Sequence, residues 1–98
     1  MVKIEWSPVA QNDLNEVIDY IAKDSLEYAL TFYEQVREKV QNLIQFPKIG
    51  RKIPELDDPA IRELILRNYR IIYRIHKSNI EIVRIIHGSR ILDYDKII

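Results

Sequence analysis

The sequence predicts an α+β fold: an N-terminal strand, then an antiparallel helical hairpin packed on one face of a small antiparallel sheet. Three observations predict it. Two stretches with helical apolar spacing fill residues 8–46, three alternating stretches fill 61–87, and a loop with three prolines and a glycine separates them. Ninety-eight residues suit one domain spanning 1–98. A chain of this length buries roughly 60–65% of the surface its unfolded form exposes, so it folds alone with a thin margin.

The opening "VKIEW" sets Val2, Ile4 and Trp6 against Lys3 and Glu5, a short half-buried strand. Ser7 and Pro8 then start a helix. The serine hydroxyl accepts from a free backbone N–H, and proline at the first helical position lacks only a donor that has no partner there. Ala10, Leu14, Val17, Ile18 and Ile21 form its apolar stripe. Asp24 with Glu27 reads as a capping box for a second helix. Its stripe is Ala29, Phe32, Tyr33, Val36, Val40, Leu43 and Ile44, and Pro47 ends it. The break is short, so the helices form an antiparallel hairpin.

"FPKIGRKIPELDDP" is a loop with one short extended piece near Lys52–Ile53. "IRELILR", "YRIIYRIH" and "IEIVRIIH" follow as strands. Asn68 marks the first bend and "HKSN" the second. In Tyr69–His76, the set Tyr69, Ile71, Tyr73 and Ile75 belongs beneath the helices, and Arg70, Ile72, Arg74 and His76 belong on the open face. For the last strand, alternation does not choose between Ile80, Ile82, Arg84, Ile86 and Glu81, Val83, Ile85, His87.

Charge is distributed unevenly. The net is zero, yet residues 1–47 hold four basic and eight acidic side chains, and 48–90 hold ten basic and five acidic. An acidic helical half and a basic sheet half result, and the basic half suggests an anionic partner. The expected open face is apolar and basic, with Arg62, Arg70, Arg74 and Arg90 outnumbering nearby acids. It suits a nucleic-acid backbone or a partner segment rich in Leu, Glu and Asp. The chain lacks cysteine and any apolar run near the ~20 residues of a membrane span. A cytoplasmic protein with no membrane partner is the expectation.

"FPKIGRKIPEL", "IREL", "NYRIIYRI" and "IEIVRIIHGSR" together resemble the ParE/RelE superfamily of type II toxin–antitoxin toxins, over Val2 to about Leu92. The resemblance implies the same helical hairpin on a sheet, and a cognate antitoxin as partner in a hetero-oligomer or beside a homodimer. It implies no cofactor and no metal. RelE-type members, YoeB among them, are ribosome-dependent mRNA endonucleases in which the ribose 2′-OH attacks the adjacent phosphate. ParE-type members inhibit DNA gyrase.

For the nuclease branch, the resemblance assigns Arg70 to stabilise the phosphorane and Arg62 to a neighbouring basic position. It assigns Glu55 to the general base, His87 to the acid, and Arg90 to the basic residue after the last strand. Such chemistry needs a base, an acid and fixed positive charge. Tyr94 stands too near Arg90 to match the RelE terminal tyrosine. RelE-type enzymes are strongly basic, whereas this chain is neutral, and "VRIIHGSR" is closer to ParE. The balance favours a growth-inhibiting, ParE-like toxin, with the endonuclease as the alternative.

Overall fold

The computed structural model describes residues 2–89. Arg90, Tyr94 and the segment 91–98 lie outside the described residues. Strand β1 (Lys3–Trp6) leads into α1 (Pro8–Ala22) and α2 (Leu26–Gln41), and a 3₁₀ turn (Asn42–Ile44) extends α2. β2 (Arg51–Lys52), β3 (Ile61–Leu66), β4 (Tyr69–Ile75) and β5 (Asn79–His87) follow. The sheet order is β1-β5-β4-β3-β2. Helices on one side of a sheet are as predicted, with one correction. β1 runs parallel to β5, so the sheet is mixed. The α1–α2 hairpin returns the chain to the far edge of the sheet before β2. That crossover lets β1 lie alongside the last strand rather than the first.

Local signals explain the helix ends. Ser7 Oγ accepts from the Ala10 N–H at 3.0 Å and donates to the Val83 carbonyl at 3.0 Å, so the first cap also pins α1 to β5. The second cap is Ser25, not Asp24. Its backbone is extended and its Oγ accepts from Tyr28 N–H at 3.0 Å. The Asp24 N–H still donates to the Ile21 carbonyl, closing α1, so Asp24 belongs to the first helix's last turn. Among the described residues no helix is long and apolar enough to cross a membrane.

The main core lies between helices and sheet. Ala10, Leu14, Phe32, Val36, Val40 and Leu43 meet Leu64, Leu66, Ile71, Tyr73, Ile80, Ile82 and Ile85. Tyr33 and Ile44, counted in the α2 stripe, are instead partly exposed. The face of β4 expected beneath the helices is there.

The opposite face is not open as expected. The chain's own loop before β3 folds over part of it: Ile53, joined by Leu56, packs on Ile61 of β3 and on Ile72, Val83 and Ile86 in a second, smaller core. Burying these residues is worth roughly 1.5–3 kcal/mol each for a full side chain, which is why the proline-rich loop does not stand free.

The undecided register of β5 has a physical answer: neither set was whole. A bulge between Ile72 and Tyr73 pairs Tyr73 with Ile82 and Ile72 with Arg84, leaving Val83 as the extra residue. One inserted residue reverses the alternation. Ile80 and Ile82 face the helices before the bulge, and Ile85 faces them after it. Val83 and Ile86 face the small core.

Tyr73 fastens the loop after α2. It is fully buried, donates to the Pro47 carbonyl at 2.7 Å and accepts from the Gly50 N–H at 2.9 Å. Burial pushes its phenol above the ordinary 10.0. The unfolded chain therefore releases this proton first as pH rises. The stabilisation is complete below pH 10 and is lost as pH climbs through the raised folded value. Tyr73→Phe is expected to cost about 1–3 kcal/mol at neutral pH, since the Gly50 donor loses its partner. The variant should also lose stability less steeply than the parent above pH 10 in urea titrations. Identical alkaline slopes would assign that loss to another group.

Candidate functional site

The outer side of the β2-β3-β4 ribbon gathers four charged side chains. Pairing sets Arg51 opposite Glu63, and Ile65 opposite Arg70. Glu63 and Arg70 lie on the same face of neighbouring strands. The Glu63 side chain is fully buried (0% exposed) and that of Arg70 nearly so (6%). Arg70 Nε donates to Glu63 Oε1. Its two terminal nitrogens donate to the Glu55 carboxylate at 2.8 and 3.0 Å, a bidentate pair. Arg51 Nε reaches the other Glu63 oxygen at 2.5 Å.

A chain of alternating charge therefore runs Arg51, Glu63, Arg70, Glu55. Among the described residues two carboxylates balance two guanidiniums, so these four side chains carry no net charge. The Glu55 hydrogen bonds hold the Arg70 guanidinium protonated well above its ordinary range, against the opposing effect of burial, with Glu63 adding to them.

This chain forms the floor of a shallow groove of about 330 Å³, lined by Arg51, Glu55, Ile65, Arg67, Arg70 and His87 among others. Three of the sequence-assigned residues, Glu55, Arg70 and His87, thus meet in one place. His87 comes to it from the rim. Strand pairing places it opposite Tyr69, with the rings edge-on at 5.7 Å between centroids. Its Nδ1 lies 2.8 Å from Ser89 Oγ and accepts from the Ser89 N–H at 3.2 Å. That leaves the proton of the neutral ring on Nε2.

Arg62 is not in the groove. Its guanidinium donates to the Gly50 carbonyl at 3.0 Å and to the Pro59 carbonyl at 3.2 Å, tying two loops together.

The expected surplus of positive charge on the sheet is largely answered from within. Arg84 pairs with Asp13 of α1 at 2.7 Å, and the same carboxylate accepts from Ile85 N–H at 3.0 Å. Arg74 stands opposite Glu81 in the strand register, and the Glu81 carboxylate meets His76 at 2.9 Å. Arg70 takes Glu55 and Glu63, and Arg62 takes carbonyls. The exposed apolar and basic face is therefore corrected. Most of its apolar residues lie under the loop, with Ile65 left exposed, and acids from the loop and β3 hold Arg70.

The sequence leaves Glu63 open, with Glu55 and Glu81, as a partner for any sheet arginine, and it does not single out Arg67. Glu63 sits at the centre of the cluster because antiparallel register puts it between Arg51 and Arg70, a fact only pairing reveals. Arg67 occupies the tip of the β3–β4 turn with φ 54°, a left-handed conformation that favours glycine. Its guanidinium lies over the Tyr28 ring, 4.6 Å from the centroid, and bonds to the Tyr28 hydroxyl and to Gln35. The side chain thus anchors the turn to α2. Among the described residues, no group of three or more His, Cys, Asp or Glu is placed to hold a metal ion.

Comparison with known proteins agrees with the fold. The sequence model of a family described as "ParE toxin of type II toxin-antitoxin system, parDE" matches residues 4–92. No curated protein gives a significant match. Among solved structures, a chain of the chromosomal ParDE TA system from P. aeruginosa superposes with a TM-score of 0.74 at 27% identity. The match covers 91% of this chain and 98% of that one. A chain of the toxin–antitoxin complex RelBE2 from Mycobacterium tuberculosis gives 0.55 at 19% identity, covering 88% and 96%, a likeness of fold alone.

Proposed function

Because the chain belongs to the ParE toxin family of type II toxin–antitoxin systems, we propose that it arrests growth by inhibiting DNA gyrase through surface binding, and that an antitoxin neutralises it. The observation that carries this reading is the occupied guanidinium of Arg70. A nuclease of the RelE type needs that positive charge turned toward a phosphate. Here it is nearly buried, and two carboxylates hold it. An incoming phosphate would have to displace Glu55 and would face the negative charge of both acids. The zero net charge supports the same reading, since binding to ribosomal RNA draws on a basic surface. The antitoxin rests on the family and on the neighbour from a ParDE system.

A second reading has one observation in its favour. Glu55, Arg70 and His87 share a groove, and a base, a cation and an acid are what 2′-OH attack requires. One pair of assays separates the two. Purified protein is expected to block gyrase supercoiling of plasmid DNA and to leave a reporter message on translating ribosomes intact. Message cleavage with unaffected supercoiling would reverse the assignment.

A further inference from the structure

The groove floored by Arg70 is lined mainly by hydrogen-bond donors. Arg51, Arg67, Arg70 and His87 line it, and among the described residues Glu55 is the one acid in its lining. The Arg51 side chain is 58% exposed. The Arg67 guanidinium donates to neutral groups, the Tyr28 hydroxyl and the Gln35 amide oxygen, so these bonds leave its charge in place. With Nδ1 turned to Ser89, neutral His87 offers its Nε2–H. Guanidiniums and N–H groups around one hollow are the donors that a phosphate group calls for.

Glu55 already fills the central position. Its carboxylate takes both terminal nitrogens of Arg70, at 2.8 and 3.0 Å. That paired contact is the geometry in which an arginine fork grips a phosphate. The two acids of the cluster are not equivalent. Glu63 lies behind, its side chain fully buried (0%) and shared with Arg51. Glu55 lies in front, on the groove side, with its side chain 25% exposed. Its neighbours in sequence set its place. Ile53 is buried in the small core, Leu56 packs against that core, and the Leu56 N–H donates to the Ile53 carbonyl at 3.0 Å. Residue 55 is thus held between two apolar anchors, and its carboxylate is delivered to Arg70 with little further ordering.

Charge sets the consequence. Arg51, Glu63, Arg70 and Glu55 sum to zero. Without Glu55, two guanidiniums face one carboxylate, and Arg67 adds its charge from the wall. We propose that Glu55 is an internal anion seated in a phosphate site. It holds the groove shut against phosphate groups, whether free or in a nucleic-acid backbone, and so acts as a plug and not as a base. This rests on the reading of the protein as an inhibitor that acts by binding and not by cutting RNA.

Two variants remove the plug. Glu55→Gln keeps its shape and removes its charge. Glu55→Ala removes the group and leaves Arg70 held through Nε by Glu63, so both are expected to fold. Inorganic phosphate and a short single-stranded RNA are titrated separately into parent and variants. The backbone amide resonances of His87, Gly88 and Ser89, which line the groove, report binding there. Glu55→Ala should bind at least about tenfold more tightly than the parent, with Glu55→Gln between them. The RNA affinity gained should fall as salt rises. Tighter binding of RNA names a nucleic-acid backbone as the excluded ligand, tighter binding of inorganic phosphate names a free anion, and either result supports the plug.

Equal affinity in the parent and both variants overturns the proposal. So does an absence of binding in all three. Affinity gained without shifts at residues 87–89 lies elsewhere on the surface and overturns it as well. If the parent cuts a reporter message on translating ribosomes, the reading as a binding inhibitor falls, and the phosphate titration still decides whether Glu55 closes the groove.

Discussion

Glu63→Ala is expected to destabilise the protein by about 3–5 kcal/mol, the cost of breaking a buried ion pair by removing one partner. Glu63 touches both Arg51 and Arg70. Arg51 is exposed and turns to water without penalty. Arg70 cannot, because its side chain is 6% exposed beneath the loop. Glu55 would still hold the outer edge of the guanidinium, but Nε would lose the buried carboxylate to which it donates. Domains of this size have total stabilities of roughly 5–15 kcal/mol, so the variant should be marginal at physiological temperature. Urea denaturation checks it. A double variant, Glu63→Leu with Arg70→Met, is expected to regain most of the loss, since a well-packed apolar pair avoids the desolvation cost altogether. A single variant that loses under about 1 kcal/mol would show that Arg70 finds another acceptor.

Gly50→Ala is expected to cost about 3 kcal/mol, at the upper end of the usual range for overpacking. A methyl group there would stand 2.6 Å from the Tyr73 hydroxyl, 2.7 Å from the Tyr73 ring and 2.7 Å from the Glu63 carbonyl oxygen. The third neighbour decides the sign. A buried tyrosine could turn slightly, but the Glu63 carbonyl is backbone of β3, held between two strands, and has no room to yield. The glycine is required for close approach, not for its dihedral angles. Adding Tyr73→Phe removes the hydroxyl clash and leaves the other two, so rescue should be small. Thermal melting of both variants tests this, with a shift of about 4–8 °C per kcal/mol for a domain of this length. A Gly50→Ala protein as stable as the parent would mean that the 47–50 loop can lift away from Tyr73.

The candidate site was legible in its members and not in its state. Glu55, Arg70 and His87 were named from residue type and resemblance, and the fold brings them to one groove. Whether Arg70 is an exposed cation or half of a buried pair depends on Glu63 seven residues earlier and Glu55 fifteen residues earlier. Strand register sets the first separation and loop closure sets the second. Neither leaves a mark in local sequence. Arg62 shows the same limit, since its partners are backbone carbonyls whose direction no side-chain pattern encodes.

The sequence by itself determined the element order, the two helices with most of their core stripes, the serine cap of the first, and the face of Tyr69, Ile71, Tyr73 and Ile75 turned to the helices. These follow from period, proline and cap chemistry, all of which act within a few residues. Only the tertiary structure decided that β1 runs parallel to β5, that a bulge reverses β5 halfway, that the proline-rich loop closes part of the sheet's outer face, and that acids reach Arg70 there. Each of those depends on which distant segments pair. Pairing is settled by burying apolar area and matching charge across the whole chain at once, whereas periodicity records only which side of its own element a residue occupies.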